Sequence, residues 1–176
     1  LQPGALIVLA ARPGMGKTSL AMNMVEHASL NAGKVCAVFS LEMPAEQLIQ
    51  RMMSTKSEVD GMKIRSGFLN NDEMNSLAEA ATEMRAMKIY IDDTPGIKIS
   101  ELRSKCRKLK IEKGLDLILI DYLQLMEGEG NNESRQQEIA KISRSLKIIA
   151  KELNCPVVAL SQLSRAPEQR SDHRPM

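Results

Sequence analysis

ARPGMGKT, residues 11–18, follows the apolar run ALIVLA (5–10) and opens a stretch of helical periodicity that begins at Lys17. Strand, glycine loop and helix, in that order, are the setting of the phosphate-binding pattern G-x-x-x-x-G-K-[ST]. Every fixed position is present except the first glycine, whose place Ala11 takes while closing the preceding strand. Gly14 and Gly16 allow positive φ and let backbone N–H groups approach phosphate oxygens, and the helix amino end adds partial positive charge. The spacing predicts that Lys17 reaches the β and γ phosphates and that Thr18 offers its hydroxyl to magnesium. The candidate cradle is thus Ala11, Arg12, Pro13, Gly14, Met15, Gly16, Lys17, Thr18 and Ser19.

Four further apolar runs read as strands: VCAVFSL (35–41), KIYID (88–92), LDLILID (115–121) and PVVALS (156–161). Their apolar character is continuous rather than alternating, as in strands buried on both faces of a parallel sheet. Helical stretches lie between them. The first runs from Lys17 to about Leu30 and stops at Gly33; AEQLIQRMMS follows Pro44, a residue suited to a first helical turn. NDEMNSLAEAATEMRA (71–86), SELRSKCRKLKIEK (100–113) and SRQQEIAKISRSLKIIAKELN (134–154) follow, the last with Ile139, Ile142, Leu146, Ile149 and Leu153 at spacings of three and four and a capping box from Ser134 to Gln137. The expected class is α/β, a mostly parallel central sheet with helices on both faces, joined by right-handed crossovers.

Ligands on such sheets bind at the carboxyl ends of the strands, so those ends are the places to look. Asp121 ends LDLILID, and a magnesium–nucleotide site needs a carboxylate facing the loop threonine. Glu42 follows the second strand; it can act as general base on the water that attacks the γ phosphate, or simply favour the dipole of the helix behind Pro44. Gln162 ends the fifth strand, with Arg165 shortly after. Its amide can contact the attacking water or the γ phosphate, or merely mark the strand end.

Composition narrows the partners. The formal charge of +2, from 24 basic and 22 acidic side chains, gives no large field, so binding to nucleic acid must be local. Aromatics are 2% of the chain and do not cluster, which argues against base stacking and for contact through phosphates. Lys105, Arg107, Lys108, Lys110 and Lys113 read as a solvated helix face before a nucleic-acid site, and the 12 methionines read as core. EGEGNNES (127–134) is a polar loop on the ligand edge. Cys36, Cys106 and Cys155 lack metal or disulfide spacing, His27 and His173 are isolated, and no 18-residue apolar stretch is present. A reducing cytoplasm, without a membrane, fits best. The abrupt ends at LQPG and DHRPM suggest a piece of a longer protein.

ARPGMGKTSLAMNM, FSLEMPAEQLIQRM, LDLILIDYLQLM and QQEIAKISRSLKIIAKELNCPVVALSQLSRAPEQR, in that order, resemble the RecA-like motor domain of replicative DnaB-type helicases of bacteria or their phages. The resemblance covers essentially all 176 residues. It implies a RecA-like P-loop NTPase fold in which Lys17 and Thr18 hold the phosphates and Mg2+ of ATP, Asp121 is the carboxylate partner of the metal, Glu42 activates water and Gln162 senses the γ phosphate. It implies also that the strand ending in Gln162 lies between the phosphate-loop strand and the Asp121 strand. Such motors are hexameric rings that bind ATP between subunits, take an arginine finger from the neighbour, thread single-stranded DNA and meet a primase and a helicase loader. The segment around 127–134 resembles one that faces the channel. Relatives continue beyond DHRPM into further strands, another DNA-contacting loop and the arginine finger, so residues 1–176 are expected to be one truncated ATPase domain that binds nucleotide and turns it over poorly alone. A RecA- or RadA-like recombination ATPase and a non-motor nucleotide switch are the competing readings; SLEMP and the long helix from Ser134 weigh against the recombinase.

Overall fold

The computed structural model describes residues 1–126 and 135–163. Five strands, β1 (Leu6–Ala11), β2 (Cys36–Ser40), β3 (Ile89–Asp92), β4 (Leu117–Asp121) and β5 (Val157–Gln162), form one sheet in the order β1-β5-β4-β2-β3. Every described pairing is parallel. The helices are α1 (Lys17–Ala32), α2 (Ala45–Ser57), the short α3 (Gly61–Ser66), α4 (Asn71–Ala86), α5 (Ile99–Lys113) and α6 (Arg135–Leu153), with a 3-10 turn at Leu123–Leu125 after β4. All five strands lie where the apolar runs place them. The short α3 and the 3-10 turn carry too few residues for a periodicity to show. The Ser134 capping box, the 127–134 loop and Arg165 lie outside the described residues.

Continuous apolar strands have a direct structural consequence. In β2, Ala37 and Phe39 enter one core while Cys36 and Val38 enter the other; Ile118 and Ile120 of β4, and Val157 and Ala159 of β5, divide from Leu117, Leu119, Val158 and Leu160 in the same way. The period of two sends alternate side chains to opposite faces, so both faces must be covered. The first core is closed by Leu102 and Cys106 of α5 and by Ile142, Leu146 and Ile149 of α6. Ala21, Met22 and Val25 of α1 with Leu48 and Met52 of α2 close the second, and Met84 and Met87 of the α4 end pack against it.

Handedness decides which helix goes where. The chain moves across the sheet in one direction from β1 through β2 to β3, then reverses through β4 to β5. Right-handed crossovers put the helices of the two directions on opposite faces, which is why α1, α2 and α4 share one core and α5 and α6 the other. Sequence places the stops correctly too: Gly33 ends α1 in the left-handed region at φ 63° and donates its N–H to Ala28 O, a conformation that costs a residue with a Cβ. Asn70 and Glu73 form a reciprocal capping box at the start of α4.

The basic helix face is largely spent on internal contacts. Lys105 pairs with Asp92 at 2.7 Å and Glu101 at 2.9 Å, Arg103 and Arg107 both hold Glu152 of α6, and Lys110 donates to Leu115 O at 2.6 Å. Cys36, Cys106 and Cys155 are buried free thiols; burial pushes Cys36 and Cys106 up to about 12 and Cys155 up to about 11. Among the described residues no helix is long and apolar enough to cross a membrane.

Leu146 is fully buried in the core beneath α6. Leu146→Ala is therefore expected to lower the unfolding free energy by about 2–5 kcal/mol, read as an earlier urea midpoint at unchanged slope. Asp116 joins the starts of β2 and β4 by accepting from Val35 N–H at 3.0 Å. That bond, helped by Lys34, holds its carboxyl below the usual range. A depressed folded pKa stabilises above the unfolded value and loses that stabilisation as pH falls through the folded one. Asp116→Asn should therefore unfold earlier than the parent at neutral pH, with the gap closing under acid; a gap that is constant down to acid pH contradicts this.

Candidate nucleotide site

β1 ends at Ala11, paired in register with Gln162 of β5. Ala11 is therefore a strand residue in regular pairing, and Leu163 N–H donates to its carbonyl at 3.1 Å. Within the loop, positive φ appears only at Gly14 and Gly16, both 77°. The loop needs its glycines at those two places, and alanine at position 11 costs nothing conformationally. A Cβ built on either glycine meets nothing within 4 Å, so backbone conformation rather than crowding calls for glycine there. Met15 N–H bonds Arg12 O at 3.4 Å across the turn, and Gly16 caps α1 with its carbonyl accepting from Leu20 N–H at 2.9 Å. Pro13, Gly14, Met15, Gly16 and Ser19 are exposed; Arg12, Lys17 and Thr18 are half-buried.

Thr18 and Asp121 meet although 103 residues separate them. Thr18 Oγ1 donates to Asp121 Oδ2 at 2.7 Å. Asp121 is 2% exposed, and its Oδ1 is buried with no hydrogen-bond partner. A buried carboxylate oxygen without a donor is costly, and one lying beside a threonine hydroxyl fits the hard-oxygen coordination of a divalent cation such as magnesium. Lys17 Nζ lies 4.9 Å from the centroid of the Tyr122 ring, within cation–π range. Consecutive residues of β4 and its exit thus grip consecutive residues of α1.

Glu42 lies just past β2, exposed, on a segment fixed at both sides. Leu41 N–H donates to Asp121 O at 2.7 Å, and Ser40 Oγ donates to Met43 O at 2.6 Å. The helix-dipole role is already filled by others, since Ala45 N–H at the start of α2 is capped by Asp93 Oδ2 at 2.9 Å and Glu46 is the acidic residue of the first turn. β2 and β4 are neighbours whose following helices go to opposite faces, and such a switch point is where open α/β sheets hold ligands. Glu42 and Asp121 flank it.

Gln162 ends β5, between β1 and β4 as expected. Its backbone is met by Gln124 of the 3-10 turn: Gln162 N–H donates to Gln124 Oε1 at 3.4 Å, and Gln124 Nε2 donates to Gln162 O at 3.3 Å and Ser161 Oγ at 2.9 Å. Sequence reading passes over Tyr122 and Gln124. Both lie in DYLQLM directly after Asp121, and that adjacency is the one signal that could have drawn attention to them.

The phosphate loop, Asp121, Glu42 and Gln162 all lie along one sheet edge, the carboxyl edge. Comparison with known proteins bears on the chain as a whole. The family model described as DnaB-like helicase C terminal domain matches residues 1–176. The replicative DNA helicase DnaC of Bacillus subtilis (strain 168) is 50% identical over 99% of this chain, and DnaB of Geobacillus stearothermophilus is 48% identical. The chain spans 39% of the length of each of these curated relatives. Among solved structures, one described as an ATPase domain superposes with TM-score 0.93 at 38% identity, covering 100% of this chain and 63% of that one. A DnaB-like replicative helicase studied for its interactions with primase also superposes at 0.93, with 37% identity, over 99% of this chain and 42% of its own. A match over the full chain, on a sheet of this order, leaves one assignment: the chain belongs to the DnaB-like helicase C terminal domain family.

Proposed function

We propose that this chain is the ATPase motor of a replicative DNA helicase, binding and hydrolysing Mg-ATP to move along single-stranded DNA and open the duplex at a replication fork. The observation that carries the reading is the Thr18–Asp121 pair with its unpartnered buried carboxylate oxygen. In P-loop NTPases the loop Ser/Thr and a strand-end Asp hold magnesium, which would supply positive charge against the charge that develops on the phosphates. Thr18 and Asp121 are the residues that would hold it here. The turn at Gly14 and Gly16 presents N–H groups to phosphate oxygens, and the α1 amino end adds its partial charge. Lys17 binds the β and γ phosphates as a point charge.

Glu42 takes the proton of the attacking water, and Gln162 reads the presence of the γ phosphate. The place of Glu42 beyond β2 and the filling of the α2 cap by Asp93 both favour the base reading for it over the helix-dipole role. The stabilising cation for the transferred phosphoryl group comes from an adjacent subunit of a homohexameric ring. Single-stranded DNA, primase and a helicase loader are the partners this reading assigns to the whole protein, working in the cytoplasm. The family match weighs for a helicase over a recombination ATPase of the same fold.

Two substitutions test this reading, measured in the full-length protein with single-stranded DNA present. Glu42→Gln should lower ATP turnover by about 10²–10⁴-fold, the usual worth of a general base, with Mg-ATP affinity kept. Lys17→Ala should lose nucleotide binding itself. Turnover that persists in Glu42→Gln would remove Glu42 from the mechanism, and unwinding that survives Lys17→Ala would sink the motor reading.

A further inference from the structure

The β5 tip is held unequally by its two neighbours. Its pairing with β1 runs to the last residue, Ala11 with Gln162, whereas its pairing with β4 stops at Ile120 with Ala159. Past that point β4 has turned away into the Leu123–Leu125 turn, and the ladder on that side is continued by a side chain. The carboxamide of Gln124 has the donor and acceptor of a peptide group. It uses both on Gln162, and it reaches Ser161 Oγ at 2.9 Å as well. The main chain that carries the Gln162 amide is thereby fixed from both sides.

The turn that presents Gln124 is itself anchored. Leu123 and Met126 are buried in the core beneath α6, Leu125 N–H bonds Tyr122 O at 3.0 Å and Met126 N–H bonds Leu123 O at 3.2 Å. It begins directly after Asp121 and Tyr122, the residues that meet Thr18 and Lys17. One anchored stretch, residues 121–126, therefore touches the first turn of α1 at one end and the tip of β5, with Gln162, at the other.

From this geometry we infer that Gln124 is a positioning residue that holds Gln162 at the height where it distinguishes a nucleoside triphosphate from a diphosphate. The inference rests on the nucleotide-site reading above and deepens it. Gln124 touches no phosphate; it acts through the Gln162 backbone. Its loss leaves the loop, Lys17, Thr18 and Asp121 in place, so contacts to the α and β phosphates survive while the γ-phosphate contact weakens.

The test measures the affinities of the full-length protein for ADP and for a non-hydrolysable ATP analogue, each with magnesium, in the parent and in Gln124→Met, Gln162→Met and the double variant. Gln124→Met keeps side-chain length and removes both polar ends. The expected result is a loss of about tenfold in analogue affinity, the size of one or two neutral hydrogen bonds at 1.4 kcal/mol per decade, with ADP affinity unchanged. The double variant should lose no more than Gln162→Met alone, because the two act in series. Equal losses for both nucleotides, or additive losses in the double variant, overturn the inference. Ser161→Ala removes only the acceptor of the 2.9 Å bond and stands in if Gln124→Met does not fold; a partial loss confined to the analogue supports the inference, and an unchanged ratio counts against it. Lys17→Ala is the separate arm for the underlying reading. If it binds both nucleotides as the parent does, the nucleotide site is misassigned, whatever the Gln124 variants do.

Discussion

Strands apolar at every position must be covered on both faces, and the rest of the molecule is arranged around that requirement. Covering two faces with one chain needs a reversal of direction across the sheet, because right-handed crossovers lay helices on one face for each direction of travel. The reversal comes at β3, after which α5 and α6 close the second face. A reversal leaves neighbouring strands whose exits diverge, and the gap between those exits is where a ligand has room. The candidate nucleotide site is thus a by-product of burying Leu, Ile and Val on two sides.

The chemistry of the site is then a matter of who arrives at the gap. α1 lies across the sheet on the side away from α5 and α6, so its first turn reaches beyond β5 to the end of β4. A helix that begins one residue earlier or later would turn Thr18 away from Asp121 by about 100°. Gly16, in the left-handed region as the α1 cap, sets that start.

Much of this is legible in the sequence, for physical reasons. Double-sided strands announce themselves as unbroken apolar runs, and helix ends such as Gly33 announce themselves through the one residue that tolerates positive φ. The conformation of the glycine loop is legible for the same reason, since Gly14 and Gly16 stand where the backbone must be left-handed and Ala11 stands where it need not be. Asp121 is legible only beside the loop, because any strand can end in an acid. What sequence conceals is contact across distance. The ring of Tyr122 over Lys17 and the amide of Gln124 on Gln162 depend on register between strands far apart in the chain, and no local spacing encodes a register. Glu42 stands between these cases: its position is readable, but that Asp93 relieves it of helix capping becomes visible only in three dimensions.

The pairing of first strand with last has a consequence for synthesis. Among the described residues β1 is joined to the sheet only through β5, which leaves the ribosome about 150 residues later. At roughly 5–20 residues per second, the strand that carries the phosphate loop waits on the order of ten seconds for its partner, its Ile, Val and Leu side chains uncovered. The middle of the sheet, β2 with β3 and then β4, has its hydrogen-bond partners sooner. Within the described residues, the strand that leads into the glycine loop is thus the one whose hydrogen-bond partner is made last.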